Sequence, residues 1–286
     1  MSRVSAVYEL RDRARIEAWL RRDPGLNIYA LGDLDPFFFP HTRWFGLGQP
    51  PAELRALALL YTGASPPTLL LFARGEALEA HAELLARLAP QLPDRLYAHL
   101  SPGLIARLEG AGFAGEFGGP HLKMLLSEAG KARLRGRSGG PCEALGQAQL
   151  DELLEFYARS YPGNWFDPRM LDTGQYLGLR DPDRGAALVC AGGIHVYSPS
   201  YGVAALGNVT TAPEQRGRGH ARELVASLCA QLLTQLDTIG LNVHADNAAA
   251  ITCYRRLGFE PLAPYEEWNL RRASDPLDGA IRTQVC

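Results

Sequence analysis

Arg216-Gly217-Arg218-Gly219 alternates two arginines with two glycines and runs into His220-Ala221. Glycine opens backbone conformations closed to other residues and lets a ligand approach closely. The N–H groups of such a loop, with those left free at a helix start, can converge on one spot. The helix dipole adds partial positive charge there, and Arg216 and Arg218 add full charges. That combination suits a phosphate or pyrophosphate. No Gly-Lys-Ser/Thr follows, so this is not a Walker loop, and the dinucleotide fingerprint G-x-G-x-x-G is absent. A solvated basic turn is the plainer alternative for the loop taken alone.

The neighbouring residues supply the elements that such a loop needs. Tyr201 to Thr211 is uncharged, small and β-branched, which predicts a strand. Pro213 ends it, because proline cannot donate to a ladder. Ala221 to Leu236 is predicted to be a helix: Ala221, Leu224, Val225, Leu228, Cys229, Leu232, Leu233 and Leu236 fall on one stripe. Thr238 to His244 is a second strand. Asp246 or Asn247 can cap the helix after it, and Gly258 can close that helix before Phe259 starts another strand.

A Gln215-Arg216-Gly217-x-Gly219 loop, a helix, a strand and then Asn247-x-x-Ala250-x-x-x-Tyr254-x-x-x-Gly258-Phe259 together resemble the GCN5-related N-acetyltransferase (GNAT) family, over about residues 142 to 270. The resemblance implies an acyl-CoA, most simply acetyl-CoA, as co-substrate, and no metal. It assigns Gln215, Arg216, Gly217, Arg218, Gly219, His220 and Ala221 to the pyrophosphate. Val209, Thr210 and Thr211, at the end of the strand, fall to the pantetheine amides and the thioester carbonyl. Asn247 becomes a pantetheine contact and Tyr254 the proton donor to the leaving thiolate. A phenol suits that step, since its reference pKa lies only slightly above a thiol's. A packing residue on a helix surface is the alternative for Tyr254. In the family the segment after the first helix borders the acceptor, so Tyr161, Trp165 and Phe166 are substrate-binding candidates, with His195 beside them. Aromatic cover for a core edge is the other reading of the three rings, and a buried structural histidine that of His195. The general base stays open among His195, Asn208 through a water, His244 and Asp246. Glu214 reads as solvated, and a water chain is a further route.

The chain has 286 residues, room for two modest domains, with 29 basic against 31 acidic residues. Near-neutral charge gives no overall field to recruit nucleic acid. No apolar run approaches the roughly 20 residues of a membrane helix, and Met1 to Leu10 is too charged for a secretory leader. The five cysteines are scattered and without C-x-x-C spacing, as expected of small buried hydrophobes in a reducing cytoplasm. Abundant Ala, Leu, Arg and Gly, with lysine only at 123 and 131, suggest a GC-rich bacterial genome.

Residues 1–126 carry a pattern of their own. Helices are expected at Arg13 to Arg22, Leu26 to Leu34, Ala77 to Leu88 and Pro102 to Glu109, the last with Pro102 in its first turn. Strands are expected at Leu54 to Tyr61, Thr68 to Phe72, Arg95 to Leu100 and His121 to Leu126. This order nearly repeats in residues 142–272, and Leu104 to Phe113 echoes Ile251 to Phe259, which points to an internal duplication. The fold class is therefore α/β (α+β): two GNAT-like domains, each a mixed, mostly antiparallel sheet flanked by helices. The first copy has only Gly75, next to Glu76, where the nest would fall, so it reads as a cofactor-free relative. Alternatively, Asn27 to Phe39, with its aromatic loop, contributes to an acceptor pocket. Residues 127–141 mix arginine and glycine like a solvated tether without aromatics for RNA stacking, and 273–286 form a tail. Three functions remain in view: an N-acyltransferase acting on a small-molecule or peptide amine, a non-catalytic acyl-CoA sensor, and an aminoacyl or peptidyl transferase on a tandem fold. A homodimer is compatible with each.

Overall fold

The computed structural model describes residues 6–49, 53–137, 140–182 and 185–273; Cys286 and the expected tail beyond Ala273 lie outside them. In chain order the elements are β1 (Ala6–Leu10), α1 (Arg13–Leu20), α2 (Ile28–Gly32), β2 (Thr42–Gln49), β3 (Glu53–Tyr61), β4 (Thr68–Leu71), α3 (Ala77–Leu88), β5 (Arg95–Leu100), α4 (Ile105–Glu109) and β6 (Phe113–Leu126). They continue with α5 (Glu128–Leu134), β7 (Cys142–Ala144), α6 (Leu150–Ser160), β8 (Leu177–Asp181), β9 (Ala187–Ser198), β10 (Val203–Thr211), α7 (His220–Leu232), β11 (Thr238–His244), α8 (Ala248–Leu257) and β12 (Phe259–Arg272). The described chain falls into two compact units: residues 6–123, 244–246 and 262–273, and residues 124–243 and 247–261.

The first unit is a mixed sheet in the order β1-β2-β3-β4-β5-β12-β6. Its first four strands pair antiparallel, β4 and β5 are parallel, and β12 pairs antiparallel with β5 from Glu266↔Leu100 to Arg271↔Arg95. Residues 262–272, which the sequence groups with the second half, thus lie in the first unit's sheet. Periodicity marks a strand but carries no information about its partner. Phe45, Leu60, Leu71, Leu84, Leu88, Leu100 and Phe113 build the core under α3. In α1, Asp12 accepts from the Arg15 N–H (3.1 Å), satisfying one orphan donor of the first turn.

The parallel pair β4·β5 stays closed past its last registered residues. Ser101 N donates to Leu71 O (3.1 Å), Ala73 N donates to Ser101 Oγ (2.9 Å), and Ser101 Oγ donates to Ala73 O (3.0 Å). Ser101 is buried, so its hydroxyl stitches the two strand ends together out of water.

The second unit has the order β11-β10-β9-β8-β7, with β10·β11 parallel and the others antiparallel. Leu153, Phe156, Tyr157, Met170, Leu171, Tyr176 and Leu188 form a core beneath α6. Arg180 on β8 clasps Glu152 on α6 with two bonds (2.6 and 2.7 Å). The expected tether over residues 127–141 holds α5 instead. Ser127 Oγ caps that helix, accepting from Gly130 N (3.3 Å) and donating to Gly258 O (2.8 Å). Pro102 sits outside α4, which starts only at Ile105.

Ser101→Ala should leave the Ala73 N–H buried without a partner. We expect a loss of about 1–3 kcal/mol in urea unfolding. An unchanged midpoint would show that this stitch contributes nothing.

Candidate active site

The second unit treats the corresponding pair of parallel strands in the opposite way. β10 and β11 register from Val203↔Thr238 to Leu206↔Leu241, and no further. Beyond that point Gly207 to Thr211 and Asn242 to His244 are no longer paired with each other. A backbone polar group without a ladder partner must find another one. Here the strand end can offer its amides to a ligand.

On its other side β10 carries a bulge. Its ladder with β9 steps from Gly207↔Gly193 to Thr210↔Ala191, so Asn208 and Val209 share the space opposite Gly192. A Cβ on Gly192 would stand 2.9 Å from Val209 Cα, so glycine is what lets the two backbones approach. Asn208 adopts φ 56, left-handed for a non-glycine residue. Thr210 Oγ1 is turned inward and donates to Ser160 O (3.2 Å).

The glycine loop follows. Gly217 (φ 79) and Gly219 (φ 87) both adopt left-handed backbone, and Gly219 is the N-cap of α7. A Cβ at either would meet open space, so the dihedral alone calls for glycine. The 13 residues of α7 leave their first N–H groups without intrahelical acceptors, directly behind this turn. The side chains divide their work. Arg216 folds back, Nε to Thr211 O and a terminal nitrogen to Ser160 O (3.3 Å each), and Gln215 is buried with its amide 3.4 Å from Asp181 Oδ2. Both therefore brace the loop. Arg218 is exposed, and His220 and Ala221 are partly exposed. The nest is thus mainly backbone with one outward arginine.

Asn247 caps α8 by accepting from Ala250 N (3.1 Å), and Gly258 (φ 98) closes the helix. Of the two residues that could have served as cap, it is Asn247 that does. Between these caps, Tyr254 is half-buried, its ring edge-on to Phe259 (5.9 Å). Burial, aided by nearby Cys253, Tyr161 and Cys190, pushes its pKa upward. The phenol therefore keeps its proton throughout the neutral range. Cys190 pairs with Thr211 across the ladder and accepts from its hydroxyl (3.4 Å), so Tyr254 lies in the neighbourhood of the free end of β10.

The acceptor-side candidates separate. Trp165, 58% exposed, stands edge-on to His195 (5.6 Å). Gly207 makes room for His195, whose ring carbons a Cβ there would meet at 2.2 Å. Tyr161 is exposed and contributes to the raised pKa of Tyr254. Phe166 is wedged between Tyr157 (5.4 Å) and Tyr176 (5.5 Å) and completes the core. Of the remaining base candidates, Asn208 is buried with its amide bonded to Tyr176 (2.9 Å). His244 and Asp246 belong to the first unit, where His244 stacks edge-on with His121 (5.0 Å). Tyr157 and Tyr176, which turn out to hold the bulge, carry no sequence signal beyond their place in apolar stretches. Among the described residues, no group of three His, Cys, Asp or Glu side chains is arranged to hold a metal, and no helix is long and apolar enough to cross a membrane.

The parted strands, the glycine turn at the start of α7 and the protonated tyrosine all belong to one stretch of the chain, and that stretch can be compared with known proteins. Residues 150–259 match the acetyltransferase (GNAT) family. A mycothiol acetyltransferase of Tsukamurella paurometabola is 36% identical over 98 residues, which is 34% of this chain and 33% of that protein. The chain thus spans about a third of the length of the curated relatives that it matches. Two solved structures share the fold over nearly the whole chain. A GCN5-related N-acetyltransferase from Sphaerobacter thermophilus aligns with a TM-score of 0.58 at 13% identity, covering 96% of this chain and 97% of its own. A tandem GNAT protein of the clavulanic acid biosynthesis pathway aligns at 0.52 and 15%, covering 96% and 100%.

Gly219→Ala forces a left-handed dihedral on a residue with a Cβ, at about 1–2 kcal/mol. We expect acetyl-CoA affinity to fall about tenfold in calorimetry. Unchanged affinity would show that the turn is not needed for binding.

Proposed function

We propose that the protein is an acyl-CoA-dependent N-acyltransferase that moves an acetyl group from acetyl-CoA to the primary amine of a small molecule. The parting of β10 from β11 beyond Leu206 and Leu241 carries this reading. A pantetheine arm bears amides that need backbone partners along one edge, and an unzipped strand is such an edge. The loop Gln215 to Ala221, with its two left-handed glycines, fits a diphosphate through backbone N–H groups and Arg218.

The residues then take roles in one transfer. The Val209 N–H, fixed in the bulge, donates a hydrogen bond to the thioester oxygen and stabilises the negative charge that builds there as the amine attacks. A carbon–nitrogen bond forms and the carbon–sulfur bond breaks. Tyr254 passes its phenolic proton to the departing sulfur, and the amine's surplus proton leaves to water or to His195. Trp165, Tyr161 and His195 line the acceptor's approach. The first unit, whose strand pair is stitched shut by Ser101, takes no cofactor.

The test is release of CoA thiol with a panel of small amines, next to calorimetry with acetyl-CoA. Turnover and saturable binding support transfer. Binding without turnover on any amine would favour a sensor, and no binding would end both. Tyr254→Phe should keep acetyl-CoA affinity and lower kcat by about 10²–10⁴-fold. Because burial raises its pKa, Tyr254 should add no alkaline limb to the rate profile below about pH 10. A Phe variant as fast as the parent would remove its role.

A further inference from the structure

Asn208 is held at two points by two tyrosines that the transfer chemistry does not otherwise use. Tyr157, on α6, donates from Oη to the Asn208 carbonyl (3.0 Å). Asn208 Nδ2 donates to Tyr176 Oη (2.9 Å), and Tyr176 in turn donates to Met170 Sδ (3.4 Å). All of these groups are buried. The Tyr176 ring lies against β9 where Gly193 leaves room: a Cβ there would stand 2.2 Å from a ring carbon. Gly192, next to it, leaves the room for Val209. Two successive glycines of β9 thus admit the clamp and the bulge.

The peptide between Asn208 and Val209 is planar and trans, so its C=O and N–H point in opposite directions. Fixing the carbonyl on Tyr157 therefore fixes the direction of the Val209 N–H. The left-handed backbone at Asn208 is costly for any residue with a Cβ, though asparagine bears it better than most. A strained turn keeps one orientation only when its surroundings over-determine it. Here two hydrogen bonds made in the dry core, one to the main chain and one to the side chain, do so.

We infer that Tyr157 and Tyr176 are positioning residues that lock the Asn208 peptide and so aim the Val209 N–H at the oxyanion. This deepens the transferase reading and rests on it for the identity of the oxyanion. The lock itself is a property of the second unit alone.

Tyr157→Phe and Tyr176→Phe each remove one hydroxyl and keep the ring. Two measurements on the full chain decide the matter. Hydrogen exchange by mass spectrometry should show faster exchange over residues 207–211 in both variants. Thiol release should show kcat lowered about 10–100-fold, with acetyl-CoA affinity within about twofold of the parent. Adding Asn208→Gly to Tyr176→Phe should restore much of kcat, because glycine takes a positive φ unaided. Unchanged exchange in both variants overturns the lock. Faster exchange with an unchanged kcat overturns its catalytic role, as does a loss that falls on acetyl-CoA affinity rather than on kcat. If the parent protein turns over no amine, the transferase reading fails, and the exchange data still decide the lock.

Discussion

Two parallel strands that stop pairing are the constraint on which the second unit is built. Past Leu206 and Leu241 the ladder ends, and the strand end keeps polar groups that a folded chain ordinarily satisfies within itself. A sheet gains by zipping to its end. Keeping β10 apart therefore needs other contacts to hold it, and they come from its opposite side. Thr210 is tied to Ser160 at the end of α6, Arg216 reaches Thr211 and Ser160 carbonyls, and the bulge is packed into β9 at Gly192. Each of these contacts pulls β10 toward β9 and α6. The free edge is the remainder of that arrangement.

The loop follows the same logic. A basic run next to glycines suggests arginines closing on a phosphate, yet Arg216 satisfies main-chain carbonyls instead. A guanidinium has five donors and no acceptor, so it is well suited to gathering carbonyls where chain segments converge. With Arg216 and Gln215 committed to bracing, the positive potential of the turn comes from oriented N–H groups and the start of α7. Such a site is fixed in place before a ligand arrives, and so less of the binding free energy is lost to ordering.

Much of this was legible in the sequence, because it is written in local chemistry. The β10–loop–α7 passage is marked by an uncharged strand, Pro213 and two glycines. The α8 helix is marked by Asn247 at one end and Gly258 at the other, and both act as caps. The bounds of α3, β5 and α6 coincide with their apolar patterns. Weak elements escaped. β1, β2 and β8 are short, or mix glycine and charge with their apolar residues, so alternation is masked. Glycine and arginine hid α5, although Ser127 is an ordinary N-cap. What no local signal could show is pairing at a distance: β12 beside β5, Ser101 between β4 and β5, and the two tyrosines on Asn208. The acceptor aromatics divide for the same reason. Phe166 and Trp165 are neighbours in sequence, yet only the path of the backbone buries one and exposes the other.

The first unit shows what the same strand arrangement does when it is not held apart. Its β4·β5 pair runs on into the Ser101 stitch, so those amides and carbonyls satisfy each other. Its interior is occupied instead by a polar cluster. Lys123 places its ammonium 3.8 Å from the centre of the Phe72 ring, with Tyr265 and Tyr29 at 5.1 and 5.3 Å. Burial pushes the Lys123 amine down to about 7. Glu267 accepts from Tyr265 (2.8 Å) and Tyr97, and stands 3.6 Å from both His99 and His121. A buried charge is tolerated only where rings and hydrogen bonds replace its water, and here they surround it on every contacting strand. In the first unit the network fills the space beside strands that are zipped to their ends, whereas β10 keeps an edge that β11 does not pair.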